Sequence, residues 1–155
     1  MGVAVLEGQK LIYHWVEVLS RPHSRKKILA DGHTVILRMV RDFRPDVVAM
    51  EKVLFANNSR TSIITAFAAD LIATVKRKRI PLIQLAASAV EKNICGNGHA
   101  SKAEVARSVA ARFPELSAYL RQDRICKNNF HSNRFDAVAV GLCAWERIAA
   151  NSKGR

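Results

Sequence analysis

The sequence predicts an α/β layered domain, a mixed sheet flanked by helices. Three observations carry that reading. The chain opens on two β-rich runs around a tight polar turn. The run DVVAM at 46–50 is short and apolar after its aspartate, the mark of a strand buried on both faces. The other apolar residues recur at helical spacing, in the order strand pair, helix, strand, helix, strand, helices. At 155 residues the chain suits a single domain over 1–150, long enough to bury a core without staples, with 151–155 as a polar tail.

Each element has its own signal. GVAVL, the turn Glu7-Gly8-Gln9 and KLIYHWVEVL read as a hairpin, alternating in part and rich in β-formers. After a polar stretch from Ser20 to Lys27, Ile28, Leu29, Val35, Ile36, Met39, Val40 and Phe43 mark one helical face, with Gly32 inside it. That helix should stop before Pro45, because the residue preceding a proline is pushed out of the helical region. DVVAM then ends on Glu51, and VLFANNSRTS has turn chemistry. TSIITAFAADLIATVKRKR is an amphipathic helix that Ser59 or Thr61 can cap, with a basic last turn that suits the helix dipole. Ile80 to Leu85 reads as a strand whose Pro81 places it at an edge or a strand start. ASAVEKNICG is a short helix closed by Gly96, GNGHASK a loop whose Ser101 caps the next helix, and AEVARSVAARF that helix up to Pro114. Residues 122–134 read as a polar loop, and FDAVAVGLCAWERIAA as the closing helix.

Composition narrows the partner and the compartment. Lysine and arginine number 25 against 13 acidic residues, so the formal charge is +12 and the partner should be a polyanion, nucleic acid first and an anionic membrane surface second. Lys76 to Arg79, Arg107, Arg112, Arg121, Arg124, Lys127 and Arg134 could together form a broad phosphate-facing surface. No apolar run approaches the roughly 18 residues that a membrane span needs. Cys95, Cys126 and Cys143 are odd in number and widely spaced, with no zinc-type pair, which suits reduced thiols in a cytoplasm. The N-terminus carries no secretory pattern.

Two carboxylates stand out by position. Glu51 ends a buried strand, where ligands collect in open α/β sheets, and Asp136 sits in the first turn of the last helix among apolar neighbours. Hydrolysis of a phosphodiester with divalent metals calls for such hard oxygen ligands, around ions about 3.5 to 4 Å apart. A solvated loop glutamate and an ordinary helix-cap aspartate are the alternatives that spacing alone leaves open.

PDVVAMEKVLFANN, a long helix and a strand, then GNGHASKAEV, and finally NRFDAVAVGL stand in an order that resembles the RuvC-type Holliday junction resolvases. The resemblance covers most of the chain and implies an RNase H-like fold and a homodimer. It further implies magnesium-dependent nicking of four-way DNA junctions in recombination and repair, with two ions and with manganese as a substitute. A metal-activated water would attack phosphorus in line, leaving 5′-phosphate and 3′-hydroxyl ends. By that resemblance Glu51 and Asp136 are metal-binding carboxylates, and Lys102, the lysine of a G-x-G-x-x-x-K loop, stabilises charge on the scissile phosphate. Asn133 stands one turn before Asp136, where the family commonly has an acid or a histidine, and His131 two residues earlier could assist protonation. Phe55 offers a ring for stacking on an opened base, while Lys92, Arg107 and Arg134 flank the site as DNA contacts. A branch-migration helicase is a further partner the resemblance suggests. The family's opening strand, whose aspartate is its primary metal ligand, has no match here, since GVAVLEGQKLIYHW resembles the hairpin that follows it. The alternative function is therefore a catalytically impaired protein that binds branched nucleic acid.

Overall fold

The structure, a computed structural model, describes residues 1–17, 24–53, 59–126 and 131–153. In chain order the elements are β1 (Gly2–Glu7), β2 (Lys10–Val16), α1 (Arg25–Phe43), β3 (Val48–Glu51), α2 (Ser59–Arg77), β4 (Leu82–Leu85), α3 (Ala87–Cys95), α4 (Lys102–Arg112), a 3-10 turn Pro114–Leu116, α5 (Ser117–Cys126) and α6 (Ser132–Lys153). They fall into two compact units, one of Met1–Glu17 with Leu85–Arg155, the other of Val18–Gln84. The α/β order follows the sequence reading. Among the described residues strand pairing forms two two-stranded ladders, β1 with β2 and β3 with β4.

In the first unit β1 and β2 run antiparallel, from Gly2 opposite Val16 to Glu7 opposite Lys10. Val5 faces Tyr13 while Leu6 faces Leu11, so Ile12 is an extra residue and the ribbon carries a bulge, which leaves Ile12 exposed. β1 lies along α6. A methyl group at Gly2 would overlap the Asn133 carbonyl, and one at Gly141 would stand 2.6 Å from Leu6 Cδ1. Four steps along the strand (Gly2 to Leu6) and eight along the helix (Asn133 to Gly141) span about 13 and 12 Å, so strand and helix keep step. Phe135, Val138, Ala139 and Leu142 of α6 form a core with Val105 and Val109 of α4 and with Leu116.

In the second unit Ser24 caps α1 by accepting the Lys27 N–H at 3.3 Å. α1 ends, as Pro45 requires, with Arg44 in the left-handed region and its N–H on the Val40 carbonyl. α1 packs on α2, with the Phe67 ring lying over Gly32 and His33 Nδ1 2.6 Å from Asp70 Oδ2. Val48 donates its N–H to the Pro81 carbonyl at 2.9 Å. Pro81 thus serves as an acceptor at the entry to β4, the role a residue without an N–H can fill.

The polar loop expected over 122–134 is mostly helix. α5 continues to Cys126 and α6 begins at Ser132. Both carboxylate oxygens of Asp123 accept the His131 N–H, at 3.3 and 3.1 Å, and Gln122 Oε1 lies 3.2 Å from His131 Nε2. Residues that look solvated in sequence are spent on joining two helices.

Candidate active site

The site begins with the loop that closes α3. Gly96 takes a φ of 76°, a left-handed conformation that costs glycine nothing, and turns the chain out of the helix. The Asn97 side chain accepts the His99 N–H at 3.1 Å, and Ser101 then opens α4 with a complete capping box, its hydroxyl on the Glu104 N–H and Glu104 on the Ser101 N–H. The Ser101 hydroxyl first, and the Ser101 N–H second, donate to Glu104 Oε2 and hold that carboxyl below its ordinary pKa. Lys102 is the first helical residue after this cap, so its backbone is set by the helix start while its ammonium reaches sideways.

It reaches Asp136. Lys102 Nζ lies 2.9 Å from Asp136 Oδ2, the lysine side chain 72% exposed and the aspartate 29%. Asn133 is exposed one turn before Asp136 on the same face of α6, next to the point where Gly2 of β1 abuts its carbonyl. Lys92 and Arg107 are exposed on α3 and α4 of this unit.

His131 and Arg134 occupy a different setting. His131 is 7% exposed and Arg134 5%. The Arg134 guanidinium lies 3.5 Å from the centroid of the Tyr119 ring, and His131 and His14 pack against the same ring at centroid distances of 5.0 and 5.5 Å. Arg134 Nε and Nη1 are buried without a hydrogen-bond partner, and the Tyr119 ring, a hydrogen bond to the Tyr119 side chain and the nearby Asp123 charge all favour this cation. Burial first, and Arg134 second, push both imidazoles below their ordinary pKa, with Glu115 acting against this at His14 and Asp123 at His131. An approach of Arg134 to a phosphate would require it to leave Tyr119.

Glu51 stands in the other unit, exposed at the carboxyl end of β3. Phe55 and Lys127 lie outside the described residues, as does the side chain of Arg124. The structure thus brings Lys102 to Asp136 and sets His131 and Arg134 together around Tyr119. Sequence reading missed His14 and Tyr119, whose only signal was aromatic character in a polar context. Asp136 suits a hard divalent ion by donor chemistry, being a carboxylate that already accommodates a cation. Among the described residues no group of three or more histidine, cysteine, aspartate or glutamate side chains gathers, so they supply part of a coordination shell.

Comparison with known proteins gives the family and the fold. The family model for crossover junction endodeoxyribonuclease RuvC matches residues 2–143. A Synechococcus protein of that name is 32% identical over 108 residues, which cover 70% of this chain and 62% of the relative. One from Ehrlichia chaffeensis is 30% identical over 142 residues, covering 91% of this chain and 84% of the relative. The structure of Thermus thermophilus RuvC superimposes with a TM-score of 0.71 at 22% identity, covering 96% of this chain and 88% of that one. The same protein in complex with a Holliday junction substrate gives 0.70 at 23% identity, covering 96% and 87%. At these identities the structures speak to the fold, which is the RuvC fold.

Proposed function

Since the chain belongs to the RuvC family of crossover junction endodeoxyribonucleases, we propose that it resolves four-way DNA junctions by metal-dependent hydrolysis of phosphodiester bonds. The observation that carries the reading is the Lys102–Asp136 contact at 2.9 Å, inside the stretch that the family model matches. Nucleases of this family depend on a metal. Asp136 would hold the ion here, and Glu51 is a second carboxylate for that role; magnesium or manganese, as a pair of ions, fits such hard oxygen donors. Bound ions of this kind neutralise phosphate charge and lower the pKa of a coordinated water.

The chain's own groups supply the rest. Lys102, held at the start of α4, directs an ammonium to the place where negative charge grows on the phosphate, which is worth about 10²–10³ in rate for one such donor. Asn133 adds an exposed amide on the same face. Lys92 and Arg107 would grip phosphates on either side of the site, and Arg134 would support the first turn of α6 from beneath. His131, stacked and hydrogen-bonded, would serve catalysis by fixing that turn or by relaying a proton through its ring. Phe55 is retained as a base-stacking group.

A homodimer with two such sites could nick symmetrically related strands. Ile64 of α2, an apolar residue 56% exposed, supports a surface there for a second copy. Phe67 of the same helix packs over Gly32 of α1. A branch-migration helicase is the further partner proposed, and the cytoplasm the compartment. No helix among the described residues is long and apolar enough to cross a membrane.

The test is cleavage of a labelled four-way junction in magnesium, beside matched duplex DNA. Symmetric nicks in the junction alone are expected, with Asp136→Asn lowering the rate at least 100-fold, as loss of several kcal/mol of metal stabilisation implies, while junction binding persists. Glu51→Gln should do the same. Cleavage retained in Asp136→Asn would remove that residue from the site, and binding without nicking by the unmodified chain would leave recognition as the function.

A further inference from the structure

α4 and α6 are joined at two points that share one spacing. Lys102 meets Asp136 at 2.9 Å, and ten residues further along each helix Arg112 Nη1 meets Glu146 Oε1, also at 2.9 Å. Both pairs are 34 positions apart in sequence, so the two helices run in the same direction and in step for about 15 Å. The far pair has a third member. Glu146 Oε2 accepts a hydrogen bond from Asn93 Nδ2 of α3 at 2.8 Å, so each oxygen of this carboxylate is held by a different helix.

The seam between α4 and α6 is apolar: α4 buries Val105, Ala106, Val109 and Ala110, and α6 sets Phe135, Val138, Ala139 and Leu142 in the same core. The small residues of α4 hold the helices close, and the polar contacts at the two ends of the seam fix which turn of one helix faces which turn of the other. A slip of one turn would carry Lys102 about 5.4 Å from Asp136, out of hydrogen-bond reach.

We infer that Glu146, through Arg112 and Asn93, is a positioning residue that sets the axial register of α4 on α6 and thereby holds the Lys102 ammonium at Asp136. The importance of that contact rests on the proposed nuclease function, whereas the register itself does not. An exposed ion pair alone is worth little. A carboxylate with both oxygens engaged, by donors from two helices, has one placement that satisfies them, and it acts through geometry.

The register can be read without activity. A zero-length carbodiimide couples an ammonium to a carboxylate only where the two touch, and peptide mass spectrometry reports the Lys102–Asp136 link. Glu146→Gln should lower the yield of that link roughly fivefold, the shift available from a pair at the upper end of the exposed range. Arg112→Gln, which leaves Asn93 on Glu146, should lower it less. The exchanged pair Arg112→Glu with Glu146→Arg should restore it, because Asn93 can turn its amide to meet either charge. In cleavage assays Glu146→Gln should lower kcat by a similar factor and leave KM for the junction unchanged, a split that general loosening of the fold would not give. An unchanged link in Glu146→Gln, no link in the unmodified chain, or no recovery in the exchanged pair would each overturn the inference. A link that behaves as expected in a chain that never cleaves would uphold the register and reject the nuclease reading.

Discussion

The Tyr119 ring carries on its faces and edges three groups that are cationic or can become so, Arg134, His131 and His14. Both imidazoles have pKa values lowered from the ordinary 6.5, because burial and the neighbouring guanidinium disfavour a second and third charge. A histidine with a lowered folded pKa binds fewer protons folded than unfolded, so stability rises with pH across that interval. The chain should therefore lose stability as pH falls below about 6.5, the ordinary value, toward the lower folded values. Thermal unfolding followed from pH 7.5 to 5 checks it, and His131→Gln should flatten the profile. Tyr119→Leu should cost about 2 kcal/mol, since it takes from a buried guanidinium both the ring face and a side-chain hydrogen bond; a Tm unchanged by that substitution would rule out the stacking as a support. At this scale Asp136 stood out in sequence as a candidate by its acid among apolar neighbours, and Lys102 only through the resemblance of its loop to the family's. The partnership of Arg112 with Glu146 was not legible, because it depends on the phase and spacing of two helices far apart in sequence.

Elements with strong periodicity were legible within a few residues, as α1, α2 and α4 show. α5 was not, because SAYLRQDRIC carries too few apolar residues to mark a face. Gln122 and Asp123 meet His131 just before α6, and hydrophobic spacing is silent about contacts of that kind. The hairpin was legible down to its turn, whereas the bulge at Ile12 follows from backbone pairing and leaves no pattern in sequence. The separation into two ladders was likewise not a local property of any strand. Within the second unit, the packing of α1 on α2 rests on Gly32, which sequence alone presents as a helix weakener. Gly32→Ala should drive a methyl group into the Phe67 ring and cost about 1–3 kcal/mol despite its better helix propensity. Phe67→Leu in the same chain should recover part of that loss; denaturant midpoints for the two variants decide, and a stabilised Gly32→Ala would show that the ring has room to move.

For the whole molecule the net charge of +12 is the property that reaches furthest. If about four phosphates are neutralised on binding, junction affinity should fall roughly a hundredfold between 50 and 200 mM salt. Titration at several salt concentrations measures the slope, and a flat response would mean that the basic residues do not grip the backbone. The fold class and the family were legible at this scale because several short motifs occur in one order, although each is weak by itself. The first unit is built from both ends of the described chain, Met1–Glu17 and Leu85–Arg155. Leu6 settles against Gly141, which a ribosome adds 141 − 6 = 135 residues later. At about 5–20 residues per second the hairpin waits on the order of ten seconds for its helix, with the apolar side chains of β1 uncovered throughout. The second unit, continuous in sequence, has no such delay, so during synthesis the segment Met1–Glu17 should need chaperone cover for longer than Val18–Gln84 does.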